Sequence, residues 1–245
     1  MSEAVLDRLR TGLDAIEQKD EELAWEVIDG DDEINQLYLD LEQDCIDLLA
    51  LQQPVASDLR FIAASFKIIT DLERIGDLAT NLGEYSLEAE RDVFPEVDIQ
   101  EVADVVIGMV EEAMDAYDRE DPTLCYTIAE TDDEVDNRCE SASETVVRDL
   151  IEREIDAPSS DSDIEKLMAD VSRLLLTIRD IERVGDHAVN LAARTVYVVE
   201  SDDDLIYWES LFASGGVLAP TGRCGQRVAA VRNPLAIKIY AKALA

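Results

Sequence analysis

Apolar positions along this chain recur with the period of a helix. Val5, Leu6, Leu9, Leu13 and Ile16 fall on one stripe, and Phe61, Ala64, Ile68, Ile69, Leu72 and Ile75 on another, as 3.6 residues per turn requires. The pattern predicts six helices, the first over about residues 3–18. The second follows Asp20, an N-cap candidate, and stops before Pro54. Ser57 caps the third, which runs to about residue 90. Three more span roughly 96–119, 122–154 and 163–200. Asp121-Pro122 opens the fifth, with an N-cap and a proline at the first helical position, where a missing N–H costs nothing. No segment reads as strand. The expected class is all-α: two tandem, pseudo-symmetric, antiparallel three-helix bundles.

The pseudo-symmetry comes from an internal repeat. Residues 31–35, Asp-Asp-Glu-Ile-Asn, match residues 132–136, Asp-Asp-Glu-Val-Asp, at an offset of 101. That offset also pairs Asp14 with Asp115, Asp20 with Asp121, Leu23 with Leu124 and Trp25 with Tyr126. Further on, residues 71–77, Asp-Leu-Glu-Arg-Ile-Gly-Asp, match residues 180–186, Asp-Ile-Glu-Arg-Val-Gly-Asp, at an offset of 109. The second copy therefore holds eight additional residues. They are expected in the Pro- and Ser-containing stretch 156–163, read as a loop. The organisation expected is repeat one over 1–92, repeat two over 93–207 and an atypical tail over 208–245.

Each motif places two carboxylates four residues apart, Glu73 with Asp77 and Glu182 with Asp186, and Asn81 or Asn190 extends the row by a turn. Residues at i and i+4 share a helix face, and like charges there repel. On the preceding helix Asp31 and Asn35, and in repeat two Asp132 and Asp136, form a second row at the same spacing. Antiparallel packing would set each row beside its partner. Carboxylates and amide carbonyls are hard oxygen ligands, suited to Mg²⁺, Mn²⁺ or oxidised iron, with zinc a further option. The alternative is a set of solvated acidic faces. Arg74 and Arg183 are expected to pair with Asp71 and Asp180 at i,i+3, with binding of an anion as the alternative. Gly76 and Gly185, inside helices, suggest close helix approach beside the acidic rows. His187, the one histidine, points about 100° away from Asp186 and reads as a polar boundary residue rather than a ligand.

Charge changes the picture. There are 57 acidic and 21 basic residues, a net charge of −36, yet 47% of the chain is apolar. A core can form, so this is not the low-hydropathy signature of disorder. Surplus acid with only five lysines suits a salt-rich cytoplasm, as in a halophilic archaeon, where a short Debye length screens self-repulsion. A nucleic-acid partner is not expected, since no basic patch opposes this field. Cys45, Cys125, Cys139 and Cys224 form no close pair, which suggests neither a zinc knuckle nor a disulfide frame. The start at Met1-Ser2-Glu3 suggests no leader, and no apolar run reaches the length expected for membrane insertion. One histidine cannot supply the paired Glu-x-x-His motifs of a di-iron bundle enzyme, and P-loop, nucleophile-elbow and HExxH patterns are absent. Residues 215–245 hold five basic residues, no acidic one and several Gly and Pro. This composition favours appended or out-of-frame sequence over a basic interaction arm.

The stretch Gln53-Pro54-Val55-Ala56-Ser57-Asp58-Leu59-Arg60, followed by the first Glu-Arg-x-Gly-Asp motif, closely resembles the PhoU family. Residues 180–190 resemble the family's second copy, and the likeness spans about residues 1–207. The first helix looks short against that family. The resemblance implies a cytoplasmic, non-enzymatic helical bundle. It implies a negative regulator of high-affinity phosphate uptake that works with the phosphate ABC transporter, through its ATPase subunit, as a homodimer. It also implies metal binding on the bundle surface. On the resemblance the metal ligands would be Glu73, Asp77 and Asn81 with Asp31 and Asn35, and Glu182, Asp186 and Asn190 with Asp132 and Asp136. The competing reading is a purely structural, dimeric, metal-binding scaffold.

Overall fold

The computed structural model describes residues 1–88, 99–156 and 161–200. All regular structure there is helical: α1 (Ser2–Gln18), α2 (Glu21–Asp29), α3 (Asp31–Gln52), α4 (Ser57–Glu88), α5 (Ile99–Arg119), α6 (Pro122–Asp156) and α7 (Asp161–Glu200). The expected boundaries at 92 and 207 and the tail lie outside the described residues.

The two repeats turn their first corner in the same way. Lys19 and Glu120 both adopt left-handed backbone, with φ of 52° and 51°. The Asp after each then caps the next helix. Asp20 Oδ1 accepts from Glu22 N at 2.8 Å and Leu23 N at 3.3 Å. Asp121 Oδ1 accepts from Thr123 N at 2.9 Å. These bonds satisfy amides that a helix start leaves unpaired.

Beyond that corner the repeats diverge. The single helix expected over about 20–52 breaks at Gly30 into α2 and α3, whereas α6 runs unbroken through the equivalent Thr131. The cause is Arg8, which reaches up from α1. Its Nη1 donates to the Val27 carbonyl at 2.8 Å, the oxygen that the Asp31 amide would take in a continuous helix. A side chain inserted into the ladder kinks a helix. Glycine leaves room for it at this point: a Cβ at Gly30 would meet the Arg8 guanidinium, which would have to shift. In repeat two the residue matching Arg8 is Met109, which is buried and cannot donate.

α4 runs parallel to α1 and antiparallel to α3, since Gly12 meets Ala79 and Leu82 while Gly76 meets Ile34. α7 packs against α5 and α6 in the same manner. The two repeats join along α4 and α7, with α1 against α5 as a second contact. α4 and α7 are antiparallel, because Asp71 meets His187, Tyr85 meets Asp180, and Glu88 meets Arg173. One apolar core runs through both repeats, including Leu9, Ile34, Leu72 and Ile75 on one side and Val110, Val135, Ile181 and Val184 on the other. Across the join, Tyr117 stacks on Phe61 at 5.4 Å and its hydroxyl pairs with Ser65 Oγ at 2.9 Å.

Residues 157–160, in the stretch expected to hold the additional residues, lie outside the described residues. The helices on either side of them are longer than in repeat one. Against the repeat-one equivalents, α6 ends three residues later and α7 starts five earlier, so the insertion lengthens both helices. The expected loop at 156–163 is corrected accordingly: Asp156 closes α6 and Asp161–Asp163 belong to α7. Helix extension keeps backbone groups paired where a longer loop would not.

Candidate functional site

The two halves of each acidic site come from the antiparallel pairs α3/α4 and α6/α7. In repeat one, Asp31 opens α3 directly after the kink. Asn35 Nδ2 donates to its Oδ2 at 2.8 Å, and Thr80 Oγ1 lies 3.2 Å from its Oδ1. Buried Arg8, with a side chain 9% exposed, sits beside it and reaches toward Glu33 at 3.9 Å. Glu73 and Asp77 face Asp31 from α4. Burial raises the pKa of Glu73, Asp77 and Asp31 add to this, and Arg74 opposes it. Burial likewise raises Asp77, with Asp31 adding and both Arg74 and Arg183 opposing.

Repeat two repeats the rows with Met109, Asp136 and Val189 in the places of Arg8, Asn35 and Thr80. Asp132 lies in mid-helix, where Asp31 has a helix start. Its Oδ1 is buried and has no hydrogen-bond partner among the described residues. That oxygen is turned beneath α7: a Cβ on Gly185 would stand 2.9 Å from it. Burial pushes the Asp132 carboxyl up to about 7, and Asp136, Asp186, Asp133 and Glu182 push in the same direction. Asp136 is raised by burial and by Asp133. Glu182 is raised by burial, then by Asp136 and Asp186, with Arg179 opposing. Val189 stands where repeat one has Thr80, and Asp136 where it has Asn35.

The rows thus face each other in both repeats, as the spacing predicts. They do not close to ligand distance. Among the described residues no three His, Cys, Asp or Glu side chains stand in an arrangement that holds a metal ion. In repeat one the Asp31 oxygens are taken by Asn35 and Thr80; in repeat two the Asp132 oxygen points under Gly185. The repeat-two donor set nevertheless suits a hard cation. It is all carboxylate, mutually repelling, and holds one orphaned buried oxygen. Asn190 is half-buried one turn past Asp186.

Asn81 has another task. Its Nδ2 donates to Asp180 Oδ2 at 3.0 Å, across the join, and Tyr85 OH donates to the same oxygen at 3.2 Å. Burial and the neighbouring Asp180 push the Tyr85 hydroxyl up to about 12. His187 is buried, with Nδ1 3.0 Å from Asp71 Oδ1. It is a structural boundary residue, as its position on the helix implies. Arg183 reaches Asp180 at 3.4 Å as expected. The equivalent Arg74–Asp71 pair does not form: His187 has taken Asp71, and Arg74 makes no ion pair or hydrogen bond with the described residues.

Arg74 instead lines an open groove of about 430 Å³ along the join, with Arg183, Asp31, Asp77, Thr80 and Asn81. The two motif arginines, equivalent by the repeat, therefore enter one groove. Sequence reasoning missed Arg8, Thr80 and this convergence. The Gly30 position in the middle of a predicted helix was the one local signal.

Two helical repeats, joined through their motif helices and each carrying facing acidic rows, define a tandem-repeat bundle protein. The PhoU domain family model matches residues 1–86 and 99–195, which takes in both repeats. The chain belongs to the PhoU family. It is 32% identical over 206 residues to the phosphate-specific transport system accessory protein PhoU homolog of Pseudomonas aeruginosa, covering 83% of this chain and 81% of that one. An archaeal relative, PhoU homolog 1 of Methanothermobacter thermautotrophicus, is 31% identical over 202 residues, covering 81% and 87%. The crystal structure of PhoU from Pseudomonas aeruginosa superposes with a TM-score of 0.71 over 82% of this chain and 93% of that one, at 31% identity. The family is one of accessory and regulatory proteins, not enzymes.

Proposed function

We propose that this protein is a negative regulator of phosphate uptake, acting by binding the ATPase subunit of a phosphate ABC transporter at the cytoplasmic face. The observation that carries this is the family match across both repeats, together with relatives named as phosphate-specific transport system accessory proteins. No helix among the described residues is long and apolar enough to cross a membrane, which suits an accessory role from one side. Exposed apolar side chains at both bundle tips support a docking role. Leu51, Val55 and Leu59 lie at the α3–α4 end, and Val147, Ile151 and Met168 at the α6–α7 end. Apolar groups at such sites favour partner contact. A second copy of the chain would use the same surface, which makes the homodimer and the transporter complex competing states.

In this reading the repeat-two row, with Asp132, Asp136, Glu182 and Asp186, holds one divalent cation. Turning the Asp132 oxygen out from under Gly185 would complete it. The cation would neutralise the row and fix α6 against α7.

The test is co-purification of the full chain with the transporter ATPase from its own host, in high salt, beside uptake of labelled phosphate in a deletion strain. The expected result is a stable complex and uptake that persists in the deletion strain when phosphate is plentiful. Absence of the complex with unchanged uptake would reject the proposal.

A further inference from the structure

Arg74 and Arg183 occupy the same place in the two repeats, yet they do not serve two equivalent sites. Both lie close enough to Asp77 to oppose its raised pKa. On Asp132 the leading influences are burial and four neighbouring acids. Arg183 reaches across the join toward Asp77 while holding Asp180 of its own repeat, and Glu182 is opposed by Arg179. The groove they share opens between the repeats and is lined by Thr80 and Asn81 as well.

The acids around this groove are largely satisfied by the fold. Both Asp31 oxygens have partners, and Arg8 is buried beside it. Asp180 is shared by Asn81, Tyr85 and Arg183. Arg74 makes no ion pair or hydrogen bond with the described residues. Arg183 is half-exposed and touches Asp180 only at 3.4 Å. Two guanidinium groups therefore present N–H donors into one concave space. Paired planar N–H groups match the oxygens of a tetrahedral anion.

We infer that this groove binds a small tetrahedral oxyanion, phosphate in preference to sulfate, between Arg74 of one repeat and Arg183 of the other. The naming of phosphate rests on the transport reading above and on Asp77, an exposed carboxylate at the groove wall. Phosphate at neutral pH keeps a P–OH that donates to a carboxylate. Sulfate has none and is repelled. Thr80 and Asn81 add polar groups; repeat two keeps the amide at Asn190 but has Val189 in place of the Thr80 hydroxyl. An anion held here ties α4 to α7, so occupancy acts on the join between the repeats.

The test is titration calorimetry of the full chain with inorganic phosphate and with sulfate, in EDTA and then in Mg²⁺. The expected result is saturable phosphate binding at one site per chain in EDTA, with sulfate about tenfold weaker or more. Arg74→Gln and Arg183→Gln should each weaken phosphate about tenfold or more, as loss of a charged hydrogen bond does. Arg74→Lys should recover part of it. Asp77→Asn should erase the preference over sulfate. Arg138→Gln, on the distant α5–α6 face, should change nothing. Circular dichroism checks that each variant is folded, and both arginines are exposed. The inference is overturned if the folded protein binds no phosphate, or if both Gln variants bind as the parent does. It is equally overturned if binding needs metal and disappears in Asp132→Asn. Failure here with an intact transporter complex removes the site alone; loss of the complex with intact titration removes the partner reading alone.

Discussion

Repeat one and repeat two carry the same acidic motif in opposite electrostatic settings. In repeat one a buried arginine, a helix start, an asparagine and a threonine surround the row, and both motif arginines stand over it. In repeat two a methionine, a continuous helix, an aspartate and a valine occupy the matching places. The lesson is that an internal repeat conserves a fold more faithfully than a site. The caps, the corner at Lys19 and Glu120 and the buried stripe are duplicated. The charge balance is not, because a few long side chains decide it.

The comparison is most directly broken at Arg8. Arg8→Met installs the repeat-two residue, leaves the Val27 carbonyl without its donor and removes the cation beside Asp31. Urea unfolding should show a loss of about 2–4 kcal/mol, the range for breaking a buried charge arrangement. Adding Gly30→Thr, the other repeat-two residue, should recover part of that if the helix then closes. A double variant no better than the single would mean the kink has another cause.

Metal affinity sharpens the contrast. Mn²⁺ titrated into the full chain should bind at repeat two, and Asp132→Asn with Glu182→Gln should weaken it about 100-fold, roughly 2.7 kcal/mol. Asp31→Asn with Glu73→Gln should leave it nearly unchanged. Equal losses from the two pairs would erase the distinction between the repeats.

A smaller effect concerns pH. The folded Asp132 carboxyl titrates near 7, against about 3.9 in an unfolded chain. The unfolded state thus releases this proton first. The group costs nothing below about pH 4, costs progressively more between about pH 4 and 7, and costs its full amount above. In chelator, Asp132→Asn should stabilise the protein by about 1–2 kcal/mol at pH 8, after discounting for partial exposure. The gain should vanish near pH 4. A gain of the same size at both pH values would locate its origin in packing rather than charge.

The smallest effect is expected at Arg10. It pairs with Glu111 between α1 and α5, and both side chains are exposed. Arg10→Ala should change stability by less than about 1 kcal/mol. A larger loss would show that the α1–α5 contact, rather than α4–α7, holds the repeats together.

Much of this was legible before any coordinates. Helical period located the described helices to within a few residues, apart from the break between α2 and α3, because burial of one stripe is a local demand on the chain. Asp20 and Asp121 announced their caps, since a short side chain before a helix start has one obvious partner. The i,i+4 rule placed Glu73 with Asp77 and Glu182 with Asp186 on common faces, and antiparallel packing brought the α3 and α6 rows opposite them. Gly76 and Gly185 signalled close approach and deliver it, against Ile34 and Asp132.

What the tertiary structure decided was which charge meets which. Asp71 chose His187 over Arg74, Asn81 chose Asp180 across the join, and Arg8 broke a helix that periodicity draws as continuous. A sequence fixes the face on which a side chain sits, through bonds of known geometry. It does not fix the rotation of one helix against another or the reach of an arginine, because those depend on packing among residues far apart in the chain. The repeat was therefore written in the sequence, and the inequality of its two sites was made by the fold.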